Sequence, residues 1–141
     1  MLAIIPAKNI SSRLKNKNIK VLNKRPLIYY SIMAAIKSKF VSRVIVSTDS
    51  KKIANLAIRF GAEVPFLRPK KLSKKNSSIK DVCSHVIKFL EKNENLKIPE
   101  ILILQPTSPL RTSNDIDKSI KLFKRKKNIN YLTSLTKVKP I

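Results

Sequence analysis

Five short apolar runs alternate with four helix-periodic segments, and this alternation limits the fold more than any other feature of the chain. The runs are Leu2 to Pro6, Arg43 to Thr48, Glu63 to Leu67, Glu100 to Leu104 and Tyr131 to Val138. Each is too short for a stable helix, so each reads as a strand. Between them, Pro26 to Lys37 carries Leu27, Ile28, Tyr30, Ser31, Ala34 and Ala35 at helical spacing, with Pro26 suited to a first turn. A second helix is capped by Asp49 or Ser50 and runs through Phe60. Gly61, the only glycine, follows it where a left-handed residue is wanted. Ser77 or Ser78 caps a third helix bearing Ile79, Val82, Val86, Phe89 and Leu90. Ser113 or Asn114 caps a fourth with Ile116, Ile120 and Phe123 on one face. Strands that alternate with helices predict an α/β fold with a mostly parallel sheet covered on both faces.

The strand ending at Leu104 runs into Gln105-Pro106-Thr107-Ser108-Pro109-Leu110-Arg111-Thr112. Proline lacks the N–H that a central strand must donate, so the two prolines end the strand and start a rigid polar loop. Open α/β sheets bind ligands at the carboxyl ends of their strands. Gln105, Thr107, Ser108 and Arg111 are therefore site candidates on position alone.

A second candidate is the loop after the first strand, Ala7 to Lys20. It holds five cationic side chains and two hydroxyls. A polyphosphate needs several cations to offset its charge and short side chains that let backbone N–H groups approach. A solvated basic loop fits the same residues. The loop has no glycine, which excludes a Walker motif and a dinucleotide fingerprint.

The net charge of +23 attracts polyanions in general. The basic residues are nevertheless scattered along the whole chain, and no aromatic side chains interleave with them as a stacking platform requires. A nucleic-acid-binding domain is thus the last of three readings, and no specific nucleic acid is expected as a partner. No apolar stretch approaches the roughly 20 residues that span a bilayer. Cys83 stands alone, so no internal disulfide forms, and the expected location is the cytoplasm. Cys83 reads as a small core residue, His85 as a half-buried helix residue and Asp49 as a helix cap.

Several separated motifs now share one resemblance. Ile5-Pro6-Ala7-Lys8, then Ser11, then Lys17-Asn18-Ile19-Lys20 resembles the opening motif of the acylneuraminate cytidylyltransferases. Val46-Ser47-Thr48-Asp49, Gly61-Ala62-Glu63-Val64-Pro65 and Leu67-Arg68-Pro69 follow in register. Ser78, Asp81-Val82 and His85 match the next helix, and Leu104 to Thr112 matches the most diagnostic stretch without a gap. The resemblance covers essentially the whole chain. It implies a Rossmann-like three-layer α/β/α nucleotidyltransferase fold. It also implies transfer of the cytidylyl group of CTP to an acidic, nonulosonic (sialic-acid-like) sugar, with release of pyrophosphate.

The resemblance assigns roles by position. Lys8 and Lys17 act on the phosphates as catalytic cations. Ala7, Ser11, Arg13, Asn18, Arg68 and Ser78 join them around the nucleotide. Gln105 lies between nucleotide and sugar, and Thr107, Ser108 and Arg111 belong to the sugar side. Departures include Lys8 for the usual arginine, Ser12 for lysine, Lys15 for proline and Lys75 for an acidic residue. Lys keeps the charge of Arg but loses its bidentate geometry.

The chain ends right after its last apolar run, so residues 1–141 are expected to be the nucleotide-binding part of a single, truncated domain. Mg²⁺ is expected as cofactor with ligands outside this chain, and a homodimer is expected for a full-length form. The 141 residues alone are expected to turn over little or not at all. Two alternatives stand beside this reading: an enzyme for 3-deoxy-manno-octulosonate, and a non-catalytic nucleotide-binding fragment. The first lacks the Gln-Pro-Thr-Ser-Pro-Leu-Arg stretch.

Overall fold

A computed structural model describes residues 1–9, 14, 16–74, 76–126 and 128–135. In chain order the elements are β1 (Leu2–Pro6), β2 (Val21–Leu22), β3 (Arg25–Pro26), α1 (Leu27–Ile36), β4 (Arg43–Ser47), α2 (Lys51–Arg59), α3 (Ile79–Glu94), β5 (Ile101–Ile103) and α4 (Ser113–Arg125). Single 3-10 turns stand at Lys17–Ile19 and Lys70–Leu72.

β1 lies between β4 and β5 and is parallel to both, with Ile4 opposite Ile45 on one side and Ile103 on the other. Successive side chains along a strand point to opposite faces, so a strand covered on both sides must be apolar at every position. β1 meets that demand. Leu2 and Ile4, with Ile45, pack on Cys83, Val86 and Leu90 of α3. Ala3 and Ile5, with Val44 and Val46, pack among Ile28 and Ile32 of α1, Ile53 and Ala57 of α2, and Ile116 and Ile120 of α4. The result is a three-layer α/β/α molecule. Fully burying each of these isoleucines contributes roughly 1.5–3 kcal/mol relative to exposure.

The expected third strand, Glu63 to Leu67, shrinks to two parallel bridges, Ile45 with Glu63 and Thr48 with Leu67. Pro65 sits between them and donates no ladder hydrogen bond, so pairing survives only at the ends. There Glu63 N–H donates to Val44 O at 2.8 Å and Arg68 N–H to Thr48 O at 2.7 Å. At the open end of this segment Arg43 Nε donates to Glu63 Oε1 at 2.9 Å, and Nη1 to Glu94 Oε2 at 2.6 Å. One guanidinium thus ties β4, the segment after α2 and the end of α3.

The spatial order is 63–67, β4, β1, β5. The chain therefore builds outward from β1 on one side and then crosses to the other. The strand order reverses at β1, and open α/β sheets bind ligands beside such a reversal.

Three expectations need correction. Residues 131–135 form no strand, and 136–138 lie outside the described residues. Tyr131 and Leu135 are largely exposed, so they lack the packing that holds a strand in place. The cap of α4 is Thr112, not Ser113 or Asn114. Thr112 Oγ1 accepts Asp115 N–H at 3.2 Å while Asp115 Oδ2 accepts Thr112 N–H at 2.9 Å, a reciprocal capping box. Ser50, not Asp49, caps α2, its side chain accepting Ile53 N–H. A further element was not anticipated: β2 and β3 form a two-stranded antiparallel hairpin. Its turn is Asn23-Lys24, at φ 44° and 64°, the left-handed pair that a two-residue hairpin loop requires.

Candidate functional site

Three segments meet over the carboxyl end of the sheet. The first leaves β1 through Ala7, Lys8 and Asn9. Ala7 N–H donates to Ser47 O at 2.9 Å, continuing the β1–β4 ladder past the strand. Asp49 Oδ1 then accepts Asn9 N–H at 2.7 Å. Asn18 Nδ2 donates to Lys8 O at 2.9 Å, and this amide is buried. One short side chain therefore clasps the start of the loop to the 3-10 turn that bears Lys17. Asp49 braces the same loop, the role it takes in place of a helix cap.

The second segment leaves β5. Leu104 N–H donates to Ile4 O at 3.0 Å, the last rung beside β1. Ser31 Oγ of α1 then donates to Gln105 O at 3.3 Å. Ser108 N–H donates back to Gln105 O, and Arg111 N–H to Ser108 O, each at 3.3 Å. With buried Pro106 between them, these bonds coil the loop tightly and hold the Gln105 side chain at the surface.

The third segment follows the 63–67 bridges. Arg68 is 5% exposed. Its Nη2 donates to Ser47 O, while Nε finds no partner among the described residues. Burial pushes this guanidinium below the ordinary arginine value, and the negative charge of Asp49 opposes that shift. An arginine stays charged under such conditions. The outcome is a buried cation with a donor to spare.

These segments enclose a cleft of about 190 Å³. Its walls bring together Lys8, Lys17, Asn18, Arg68, Gln105 and Thr107 of the expected site, along with Lys74, Ser77, Leu72, Ile79 and Val82. Among the described residues, four of those lining the cleft are cations and none is a carboxylate. Enclosed small-molecule pockets usually exceed about 300 Å³, so this cleft takes part of a nucleotide-sized ligand rather than all of it. It carries the chemistry of anion binding: fixed positive charge, amide donors and a partly dry wall.

The remaining expected residues lie elsewhere or beyond description. Ala7 is buried, its methyl in the core under the loop. Ser78 caps α3, accepting Asp81 N–H at 3.0 Å, while its neighbours Ser77 and Ile79 face the cleft. Ser108 and Arg111 lie beyond the cleft walls. Arg111 is half-buried, and burial lowers its pKa against the opposing charge of Asp115. Ser11 and Arg13, like Ser12, Lys15 and Lys75, fall outside the described residues. His85 stacks edge-on against Phe66 at 4.6 Å, and burial lowers its pKa with help from Lys71 and Arg68. Lys74 and Ser77 are cleft residues that the sequence did not mark as such, Ser77 being expected only as a possible helix cap. Their one signal was position, in a polar stretch just after the third run.

A family model described as cytidylyltransferase matches residues 2–140 of the chain. The chain belongs to the cytidylyltransferase family. Among its curated relatives, a CMP-N,N'-diacetyllegionaminic acid synthase from Legionella pneumophila is 40% identical over 126 residues. That alignment covers 88% of this chain and 53% of the relative. An N-acylneuraminate cytidylyltransferase from Escherichia coli is 34% identical over 137 residues, covering 97% of this chain and 31% of the relative. This member of the family thus spans about half or less of the length of these relatives. A solved CMP-2-keto-3-deoxy-manno-octonic acid synthetase in complex with CTP superposes with a TM-score of 0.72. It shares 20% identity and covers 91% of this chain and 48% of that one, so it shows the cytidylyltransferase fold alone.

Among the described residues no three His, Cys, Asp or Glu side chains stand close enough together to hold a metal ion. Asp49, which lies within electrostatic reach of Arg68, accepts the Asn9 N–H at Oδ1. Mg²⁺ is usually held by one or two carboxylates together with substrate phosphates, and among the described residues no carboxylate lines this cleft. No helix among the described residues is long and apolar enough to cross a membrane.

Proposed function

We propose that this chain is the CTP-binding part of a cytidylyltransferase that activates a nonulosonic sugar acid. The observation that carries the reading is that Lys17 and Gln105, 88 residues apart by their numbering, line one cleft at the reversal of the sheet. Two independent loops converge on the place where an α/β sheet binds its ligand.

In this reading Lys8 and Lys17 grip the phosphates, Arg68 and Ser77 lie towards the nucleoside, and Gln105 and Thr107 face the incoming sugar. The anomeric hydroxyl oxygen attacks the α-phosphorus and forms the new P–O bond. The bond to the bridging oxygen breaks, and pyrophosphate leaves with that electron pair. The hydroxyl proton passes to water. Negative charge builds on the phosphate oxygens during transfer, and fixed cations favour that state without rearrangement. The proposal assigns Mg²⁺, and the homodimer of a longer form, to residues beyond this chain.

The test incubates the chain with CTP, Mg²⁺ and a panel of nonulosonic acids and follows pyrophosphate, with CTP affinity measured alongside. The expected result is CTP-selective binding that weakens about tenfold or more in Lys17→Ala, the size of a lost charge-assisted hydrogen bond. Equal affinity for ATP and CTP, or full affinity in Lys17→Ala, would overturn the reading. Release with 3-deoxy-manno-octulosonate alone would move the substrate to the other sugar class.

A further inference from the structure

The four cations of the cleft include one that the family resemblance does not assign. Lys74 stands on the segment between the 3-10 turn Lys70–Leu72 and α3. Hydrogen bonds tie its described residues to one another and to the turn. Ser73 N–H donates to Lys70 O at 3.0 Å, Ser77 N–H to Lys74 O at 3.2 Å, and Ser77 Oγ to Lys71 O at 3.2 Å. They set Lys74 at the open rim, with Lys8 and Lys17 on the loop after β1 and Arg68 beneath.

We infer that Lys74 is an anion-binding residue of this cleft, and that with it the chain binds a nucleoside triphosphate without a divalent cation. The inference rests on the CTP reading above. A triphosphate brings about four negative charges at neutral pH, and a divalent ion normally offsets part of them. Here Lys8, Lys17, Arg68 and Lys74 line the cleft, and among the described residues no lining residue is a carboxylate. Among the described residues no group of three His, Cys, Asp or Glu side chains could hold a metal ion either. The charge balance that a metal would supply is met by side chains. Arg68 reinforces the argument: it is buried, and its Nε has no partner among the described residues.

Calorimetric titration of the 141-residue chain with CTP, in EDTA and in excess Mg²⁺, separates the two layers of the reading. The expected affinity in EDTA lies within about threefold of that in Mg²⁺, less than one charge-assisted bond is worth. Lys74→Ala should weaken binding in EDTA about fivefold to tenfold and Lys74→Glu further. Both losses should shrink in high salt, which screens exposed charges. Lys124→Ala on α4 reports the effect of removing a surface lysine elsewhere and should change affinity little. Binding that appears only with Mg²⁺, or a Lys74→Ala chain that binds like the parent, overturns this inference and leaves the CTP reading standing. No CTP binding under either condition overturns both.

Discussion

Arg68 is the one charged side chain that is buried among the described residues. Its guanidinium donates to Ser47 O and borders the cleft, so it serves the fold and the site together. Removing it takes away one of the two donors to Ser47 O, the other being Ala7 N–H, and a hydrogen bond from a charged group contributes about 1.5–3 kcal/mol. Arg68→Ala should therefore lower the denaturation midpoint and weaken CTP binding in the same protein, as paired unfolding and binding curves would show. Lys17→Ala should weaken binding alone, because Lys17 makes no side-chain hydrogen bond to the fold among the described residues. Cys83 behaves oppositely to a reactive thiol. Burial pushes its pKa up to about 11, so the nucleophilic thiolate is scarce at neutral pH. A thiol reagent should label it slowly in the folded chain and promptly in denaturant. Equal rates would contradict its burial.

At the scale of elements, the ends of the helices carry the sharpest predictions. Thr112→Ala removes the cap of α4 and should cost about 1 kcal/mol in chemical denaturation. The same cap gives a pH signature. Hydrogen bonds from Thr112 hold the Asp115 carboxyl below its usual value near 3.8. A depressed carboxylate pKa adds stability above the unfolded value. That stability is lost as pH falls through the folded value, below 3.8. The acid limb of the stability curve should flatten in Asp115→Asn if this is right. Gly61 follows α2 at φ +89°, and an added Cβ would stand 3.2 Å from Ile36 Cδ1. Gly61→Ala should destabilise by about 1 kcal/mol or more through the left-handed backbone alone.

These same elements show what a sequence reader can see. β1 announces itself because a strand buried on both faces is apolar throughout, as Leu2 to Ile5 are, and β4 and β5 do so through the β-branched and apolar runs Val44 to Val46 and Ile101 to Ile103. The capping box of α4 was hidden because Thr112 already belonged to the Gln-Pro-Thr-Ser-Pro-Leu-Arg-Thr run, and the next two residues also make good caps. The β2–β3 hairpin was hidden because its turn is Asn23-Lys24, without the glycine that usually marks one. Pro65 was the visible warning that the third strand would be broken. Lys74 was invisible for a different reason: in a chain of net charge +23, one more lysine provides no contrast.

At the scale of the whole molecule, the order 63–67, β4, β1, β5 decides where a ligand goes. The loops after β1 and β5, on either side of the reversal, carry Lys8, Lys17, Gln105 and Thr107 into one cleft. The basic excess adds a long-range attraction for anions that salt screens within about 10 Å at 0.1 M. Association of CTP should therefore slow as salt rises, and stopped-flow binding would follow it. An unchanged rate would mean that the field plays no part in capture.

The most direct measurement is a CTP titration of the isotopically labelled chain, followed residue by residue in its backbone and side-chain amide resonances. Saturable shifts gathered at Lys8, Lys17, Asn18, Gln105 and Thr107, with α4 silent, are the predicted result. Shifts confined to a surface remote from the β1 and β5 loops, or none at millimolar CTP, would contradict the assignment of this cleft.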